Sequence, residues 1–353
     1  MPGLQRAFDI DTSTVGFIFT AHGAGALVGI FVPSVVTSPA LGARWLSAGT
    51  GLLLLGAGVL CVAPTWPVTL AGAFVLAVGF GIHVIRLNSV FVAGFGSRGM
   101  AMTQLLNAAF SIGSIVGPVA IGVAGSPSMG LFGAIAGGAL VLLPMCALAD
   151  RASVANTPSS LAGDKNSATL SRKSGVLLAG FVLLMSMLVG VENSIAGWTA
   201  TLGLASGFSY RGAANLTAAF FCCVFAGRLV AAGLGHRVRA SVLVIAALAC
   251  VVAFLSIAAF TRAAPSAFVM TGLALAPLFA ATLLWLAMVL PATRHANALV
   301  IGGALLGSAV FPPVVGRVIG HFGVAAAPPA ILCIAIAALI TAVSIHSLHG
   351  GPR

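Results

Sequence analysis

Residues Val176–Leu204 read VLLAGFVLLMSMLVGVENSIAGWTATLGL, an apolar run interrupted by a single carboxylate, Glu192. At 1.5 Å of rise per residue, a helix of this length exceeds the roughly 30 Å of a bilayer's hydrocarbon core. The run predicts a membrane-spanning helix, and the rest of the chain repeats its character. Of 353 residues, 60% are hydrophobic and 6% charged, and the mean hydropathy is +1.16. No water-soluble domain hides so much apolar surface in a core. Because lipid offers no partners to backbone N–H and C=O groups, the expectation is an all-α membrane protein.

Working outward from this run, eleven stretches are long and apolar enough to span, near residues 13–36, 42–63, 67–94, 99–124, 127–149, 174–204, 210–234, 238–260, 264–290, 293–320 and 323–347. Pro, Gly and charge mark the breaks, as in Pro64-Thr-Trp-Pro67, Gly94-Phe-Gly-Ser-Arg98 and Gly235-His-Arg-Val-Arg239. Glycine, with 44 copies, suits helices that approach closely in lipid, and Gly113xxxGly117 and Gly303xxxGly307 are candidate contact pairs.

The net charge of +11 does not point to nucleic acid, since Lys and Arg are spread singly rather than gathered in a basic stripe. They report topology instead. With residues 1–12 outside, one face collects Arg44, Arg98, Arg151, Lys165, Arg172, Lys173 and five more, against Arg6, Arg211, Arg262 and Arg317 on the other. The richer face is cytoplasmic, which puts the C-terminus inside and leaves Arg86 within a span. No cleavable signal peptide is legible in residues 1–12, which are amphipathic. The six cysteines all fall in apolar segments without metal or disulfide spacing and read as packing residues. No nucleophile–base pair, metal cluster or phosphate loop appears, so neither an enzyme nor a bound cofactor or metal is expected.

Polar groups on apolar helices are where function is expected. Glu192 is the only acidic residue outside the N-terminal leader and the central loop. A carboxylate in hydrocarbon is costly, which makes it the candidate proton carrier. Gly190 and Gly197 flank it and are expected to loosen the backbone there. Asn193 lies beside it. Trp198 is a stacking platform or a packing residue. His83 and Arg86 share a face at i, i+3. Arg86 pairs with Glu192, holds an anionic substrate, or reaches to the cytoplasmic surface. Asn88 lies on the opposite side of that helix. Gln104, Asn107, Ser111 and Ser114 fall at i, i+3, i+7 and i+10, one polar stripe on an otherwise apolar helix, as expected of a cavity wall. His22 and Trp285 are isolated residues in apolar runs, and Trp285 is kept among the candidate substrate contacts.

One long polar stretch, Asp150–Lys173, separates five spans from six. The order is thus an N-terminal bundle (1–149), a cytoplasmic linker (150–173) and a C-terminal bundle (174–353). Gly113-Ser-Ile-Val-Gly-Pro118…Gly122 aligns without gaps on Gly307-Ser-Ala-Val-Phe-Pro312…Gly316, which suggests a parallel repeat. The two segments are equivalent only if a further helix precedes Met1.

The layout and the local sequence resemble the major facilitator superfamily. Residues 2–29, PGLQRAFDIDTSTVGFIFTAHGAGALVG, look like its outer loop running into helix 2. Val191-Glu192…Trp198, Leu87-Asn88, Leu275-Ala-Pro-Leu-Phe279 and Gly307…Pro312-Pro-Val-Val-Gly316 are similar to the fucose/glucose permease-like sugar:proton symporters. The resemblance implies family helices 2–6 in the first bundle and 7–12 in the second. It also implies that an absent first helix would line part of the cavity. The gating motif between helices 2 and 3 lacks its Asp in Gly29…Gly42-Ala-Arg44, whereas its copy at Gly227, Arg228 and Arg237 keeps glycine and basic residues.

The reading is a proton-coupled secondary transporter of a small polar solute, a sugar among the candidates, in a lipid bilayer. The expected setting is a bacterial inner membrane and the expected state a monomer. An efflux antiporter for amphipathic compounds and a non-transporting truncated homologue are the alternatives.

Overall fold

The structure, a computed structural model, describes residues 1–35, 44–94, 99–124, 129–155, 172–234, 238–261, 264–290 and 296–349. These residues are helical almost throughout, in the order α1 (Pro2–Phe8), α2 (Thr12–Val15), α3 (Phe17–Val35), α4 (Trp45–Val62), α5 (Trp66–Gly94), α6 (Gly99–Ala124), α7 (Met129–Ala155), α8 (Arg172–Ala205), α9 (Tyr210–Leu234), α10 (Ala240–Phe260), α11 (Ala264–Leu275), α12 (Leu278–Val289), α13 (Ala296–Phe322) and α14 (Ala327–His349). A 3-10 turn, Val324–Ala326, precedes the last helix. Among the described residues ten helical segments are long and apolar enough to span a bilayer, with Ala109–Val123 of α6 a shorter one. Each of the eleven expected segments is helical over most of its described residues.

One expected segment is broken. The run 264–290 forms two helices, α11 and α12, with Ala276-Pro277 between them. Proline supplies no N–H and crowds the preceding turn, so the helix stops before it and restarts after it.

Two compact units form, one of residues 1–20, 108–127 and 173–353, the other of residues 21–107 and 128–172. In the second unit α4 packs against α5 and α7. The contact is made at glycine: a Cβ on Gly79 would stand 2.5 Å from the Gly49 carbonyl oxygen. Backbones this close gain dispersion contacts that replace the hydrophobic drive absent between helices in lipid.

Asp150, expected in the polar linker, instead lies inside α7 and is 2% exposed. Its carboxylate accepts from the backbone N–H of Leu46 (3.1 Å) and Ser47 (2.8 Å) and from the Ser47 hydroxyl (2.7 Å). It thus caps the N-terminus of α4 from another helix, doing what the local Arg44 does not. Residues 156–171 of the linker lie outside the described residues.

In the first unit α10 packs on α11, α12 and α14, α9 on α11, and α2 on α13. Phe181, Leu184, Ile195, Phe220, Phe268 and Leu278 are fully buried. Of the two expected glycine pairs, Gly303 and Gly307 do seat α13 on α8. An added Cβ at Gly303 would stand 2.7 Å from the Val182 carbonyl oxygen, and at Gly307 it would run into that of Ser186. Gly113 and Gly117 meet nothing within 4 Å among the described residues.

Candidate functional site

The site is built in the first unit from three helix faces. On α8, Asn193, Ala196, Gly197, Ala200 and Leu204 fall at i, i+3, i+4, i+7 and i+11. On α9, Tyr210, Ala213, Ala214 and Thr217 fall at i, i+3, i+4 and i+7. Both series keep one side of a helix turned the same way. With Pro118 and Ile121 of α6, Phe19 of α3, and Met1 and Pro2, they enclose a cavity of about 260 Å³. Its polar side chains are neutral: the Asn193 amide, the Tyr210 phenol and the Thr217 hydroxyl.

Ser111 and Ser114 of the α6 stripe are not among the residues that line the cavity. Pro118 and Ile121 continue the Ser111, Ser114 face by seven residues each, two turns further on. At cavity level the residues of this face are apolar. Ser111 is 2% exposed and accepts a hydrogen bond from the Arg228 guanidinium. Ser114 donates to the Phe110 carbonyl of its own helix, 3.0 Å away. The side chains of Gln104 and Asn107 lie outside those described, as does that of Asn88.

Glu192 is half-buried, one residue from Asn193, and the positive charge acting on it is Arg228. Arg228 lies eleven residues beyond Thr217, about 16 Å along the same face of α9. The sequence placed Arg228 in a gating loop; here it belongs to α9, beside Ser111 and within electrostatic reach of Glu192. Gly227 is buried, and an added Cβ there would run into the Leu273 carbonyl. Arg237 lies outside the described residues.

The asparagine is held from behind. Asn193 Nδ2 donates to Ser308 Oγ of α13 at 2.8 Å, which fixes the amide at the cavity wall. Trp198 is fully buried, its indole N–H donating to the Pro312 carbonyl (3.0 Å) and its ring 6.4 Å from that of Phe19. Trp285 is also enclosed, edge-on to Phe181 at 5.1 Å. Gly190 and Gly197 do not loosen α8, which is one continuous helix. An added Cβ at Gly190 would run into the Phe311 ring, and at Gly197 into that of Phe19, so each glycine makes room for an aromatic side chain.

In the second unit His83 Nε2 lies 3.0 Å from the Thr50 hydroxyl, which also reaches Cys146 Sγ at 3.2 Å. Arg86 is half-buried on α5. His22 packs 5.7 Å from the Phe80 ring.

The chain thus presents a multi-pass helical bundle with a cavity of neutral polar side chains and, one residue from its wall, a half-buried carboxylate. Its family follows from sequence. The pattern of the Major Facilitator Superfamily matches residues 1–270, and the chain belongs to that superfamily of secondary transporters. No individual curated protein matches it.

Solved structures share its fold. The E. coli fucose:proton symporter FucP (N162A form) is similar over 98% of this chain and 92% of its own, at 18% identity and a TM-score of 0.63. The nucleoside transporter NupG covers 97% and 92% at 16% identity, TM-score 0.65. A D-xylose-proton symporter covers 94% and 87% at 14% identity, TM-score 0.66. Identities this low speak for the fold alone.

Proposed function

We propose that the chain moves a small neutral solute across a bacterial inner membrane by proton symport, with Glu192 carrying the proton. The observation that carries this reading is that Glu192 precedes Asn193, which lines a cavity whose polar side chains are uncharged. Binding a proton removes the charge that makes the carboxylate costly in the membrane, by about 3 kcal/mol on insertion scales. It also releases Arg228 from its attraction, leaving the guanidinium on Ser111. Two-state switching of this kind is what links a proton to a conformational step.

Asn193, Tyr210 and Thr217 supply donors and acceptors for hydroxyl groups, and Phe19, Pro118 and Ile121 an apolar wall. A sugar or another hydroxylated ring suits both. Trp198 is assigned to holding α8 on α13 rather than to stacking. His83, Arg86, Asn88, Gln104 and Asn107 are kept as candidate substrate contacts on α5 and α6. Residues 1–149 and 174–353 are the two halves that rock in alternating access, and the working unit is a monomer in lipid.

The test is external pH in weakly buffered cells on adding a panel of hexoses, deoxyhexoses and nucleosides. Alkalinisation by one of them, lost in Glu192→Gln, is the expected result. A solute that accumulates with no proton movement would overturn the symport reading. The predominantly apolar lining favours one second reading, export of an amphipathic compound in exchange for protons. Glu192-dependent exclusion of a lipophilic dye, with no response to sugars or nucleosides, would select it.

A further inference from the structure

Helix α13 carries two adjacent prolines, Pro312 and Pro313, in its interior. Neither has an N–H, so the carbonyls of Ser308 and Ala309, four residues earlier, have no helical partner. Residues 308–313 are helical all the same, and three side chains from neighbouring helices bond to this turn. Thr20 Oγ1 of α3 donates to the Ala309 carbonyl at 3.0 Å. Trp198 Nε1 of α8 donates to the Pro312 carbonyl at 3.0 Å. Asn193 Nδ2 of α8 donates to Ser308 Oγ at 2.8 Å.

The segments on either side of the turn are held by close backbone packing instead. Before it, Gly303 and Gly307 seat α13 against the Val182 and Ser186 carbonyls of α8. After it, an added Cβ at Gly316 would stand 2.6 Å from the Trp198 ring, and one at Gly320 3.5 Å from Ser13 of α2. A helix with two firm segments and a proline turn between them bends at that turn. What sets the bend is then the side-chain bonds. Of their three donors, Trp198 is fully buried and only Asn193 lines the cavity. Its amide has a second N–H and a carbonyl oxygen that the bond to Ser308 leaves available.

We propose that the 308–313 turn is the joint at which α13 bends, and that Asn193 couples this joint to the cavity through Ser308. A solute hydroxyl that draws the Asn193 amide toward itself withdraws it from Ser308. That loosens the one turn of α13 from which two backbone hydrogen bonds are already missing, and local opening is cheapest there. Asn193 is thus a solute contact and, through Ser308, a positioning residue for α13. The inference rests on the reading of the cavity as the solute site, but its test needs no transport.

The readout is hydrogen exchange, in detergent, at the Val314, Val315 and Gly316 amides, which bond back across the prolines. Asn193→Ala and Ser308→Ala should each speed exchange there about two- to tenfold, the range that one net hydrogen bond supports. The double variant should go no faster than either. Ser308→Thr, which keeps the hydroxyl, should stay within about twofold of the parent. The α14 amides from Ile331 to Ile345 should hold the parent rate throughout. A hydroxyl is then brought to the amide by way of Ala196→Cys, on the cavity wall one helical turn from Asn193. Hydroxyethyl methanethiosulfonate converts that thiol to a mixed disulfide, with methanesulfinate leaving. The tethered hydroxyl should speed exchange at the three amides by about the same two- to tenfold, and should add nothing in the Ser308→Ala background. Unchanged rates in Asn193→Ala and Ser308→Ala, a double variant faster than both, or faster exchange that extends to α14 would overturn the joint. No effect of the tether, measured against the equally treated parent chain, would overturn the coupling to the cavity. Failure of the proton test at Glu192 leaves these rates unaffected, so the two readings fail separately.

Discussion

The Thr20 hydroxyl donates to the Ala309 carbonyl at 3.0 Å, and Ala309 is the residue four before Pro313. A helix carbonyl at that position normally receives the N–H that proline lacks. In a membrane no water replaces it, so a side chain from α3 satisfies a group that the sequence of α13 leaves unpaired. Thr20→Val is expected to lower the melting temperature of the detergent-solubilised protein, at a cost of about 1–2 kcal/mol. Thr20→Ser should recover most of it. Equal melting of Thr20→Val and the parent would show that the carbonyl finds another donor.

Asp150 satisfies three donors at the start of α4. Asp150→Ala should destabilise by about 1–2 kcal/mol and speed hydrogen exchange at the Leu46 and Ser47 amides. Asp150→Asn keeps one acceptor and should fall between. Exchange that is unchanged at these two amides would remove the cap from the account.

Arg228 and Glu192 are expected to be energetically coupled. A double-mutant cycle of Arg228→Gln and Glu192→Gln, followed by thermal unfolding at pH 8, should give a coupling of about 1 kcal/mol. Arg228→Gln alone should cost more than the double variant, because it leaves a carboxylate in the membrane without its counter-charge. Strict additivity would separate the two residues.

The two glycine pairs should differ. Gly307→Leu is expected to abolish folded protein, since its backbone lies against the Ser186 carbonyl. Gly113→Leu, with nothing within 4 Å among the described residues, should change the melting temperature by less than the equivalent of about 1 kcal/mol. Size-exclusion profiles of the two variants make the comparison.

Asp11, outside the spans, titrates in a known direction. Hydrogen bonds from Thr14 and Ser13 hold its carboxyl below the ordinary range. A folded-state pKa below the unfolded value of about 3.9 means the cap contributes fully above that value and is lost as pH falls through the lower one. Exchange at the Thr14 amide should therefore be constant from pH 7 to about 5, after correction for intrinsic rates, and rise below about pH 4. Asp11→Asn should abolish that rise.

Much of this molecule was readable in one dimension. Eleven apolar segments, their proline and glycine breaks, and the superfamily resemblance around Glu192 were all local features. A helical period fixes which residues share a face, so Ser111 and Ser114 could be grouped with Pro118 and Ile121 from spacing alone. Missed were Tyr210, Thr217 and Phe19 at the cavity, and the capping role of Asp150. The α9 spacing at Tyr210, Ala213, Ala214 and Thr217 was the available signal, but two polar residues so far apart look like ordinary span ends.

The sequence alone determined that the chain spans a membrane as helices, since apolar length and backbone hydrogen bonding leave no alternative. Only the tertiary structure decided that Glu192 lies within electrostatic reach of Arg228, that the Trp198 indole donates to Pro312, and that Gly307 seats α13 against Ser186. The reason is physical. Where lipid and protein core are both apolar, hydrophobic period no longer tells a buried face from an exposed one, and the rotation of each helix is set by neighbours distant in the chain.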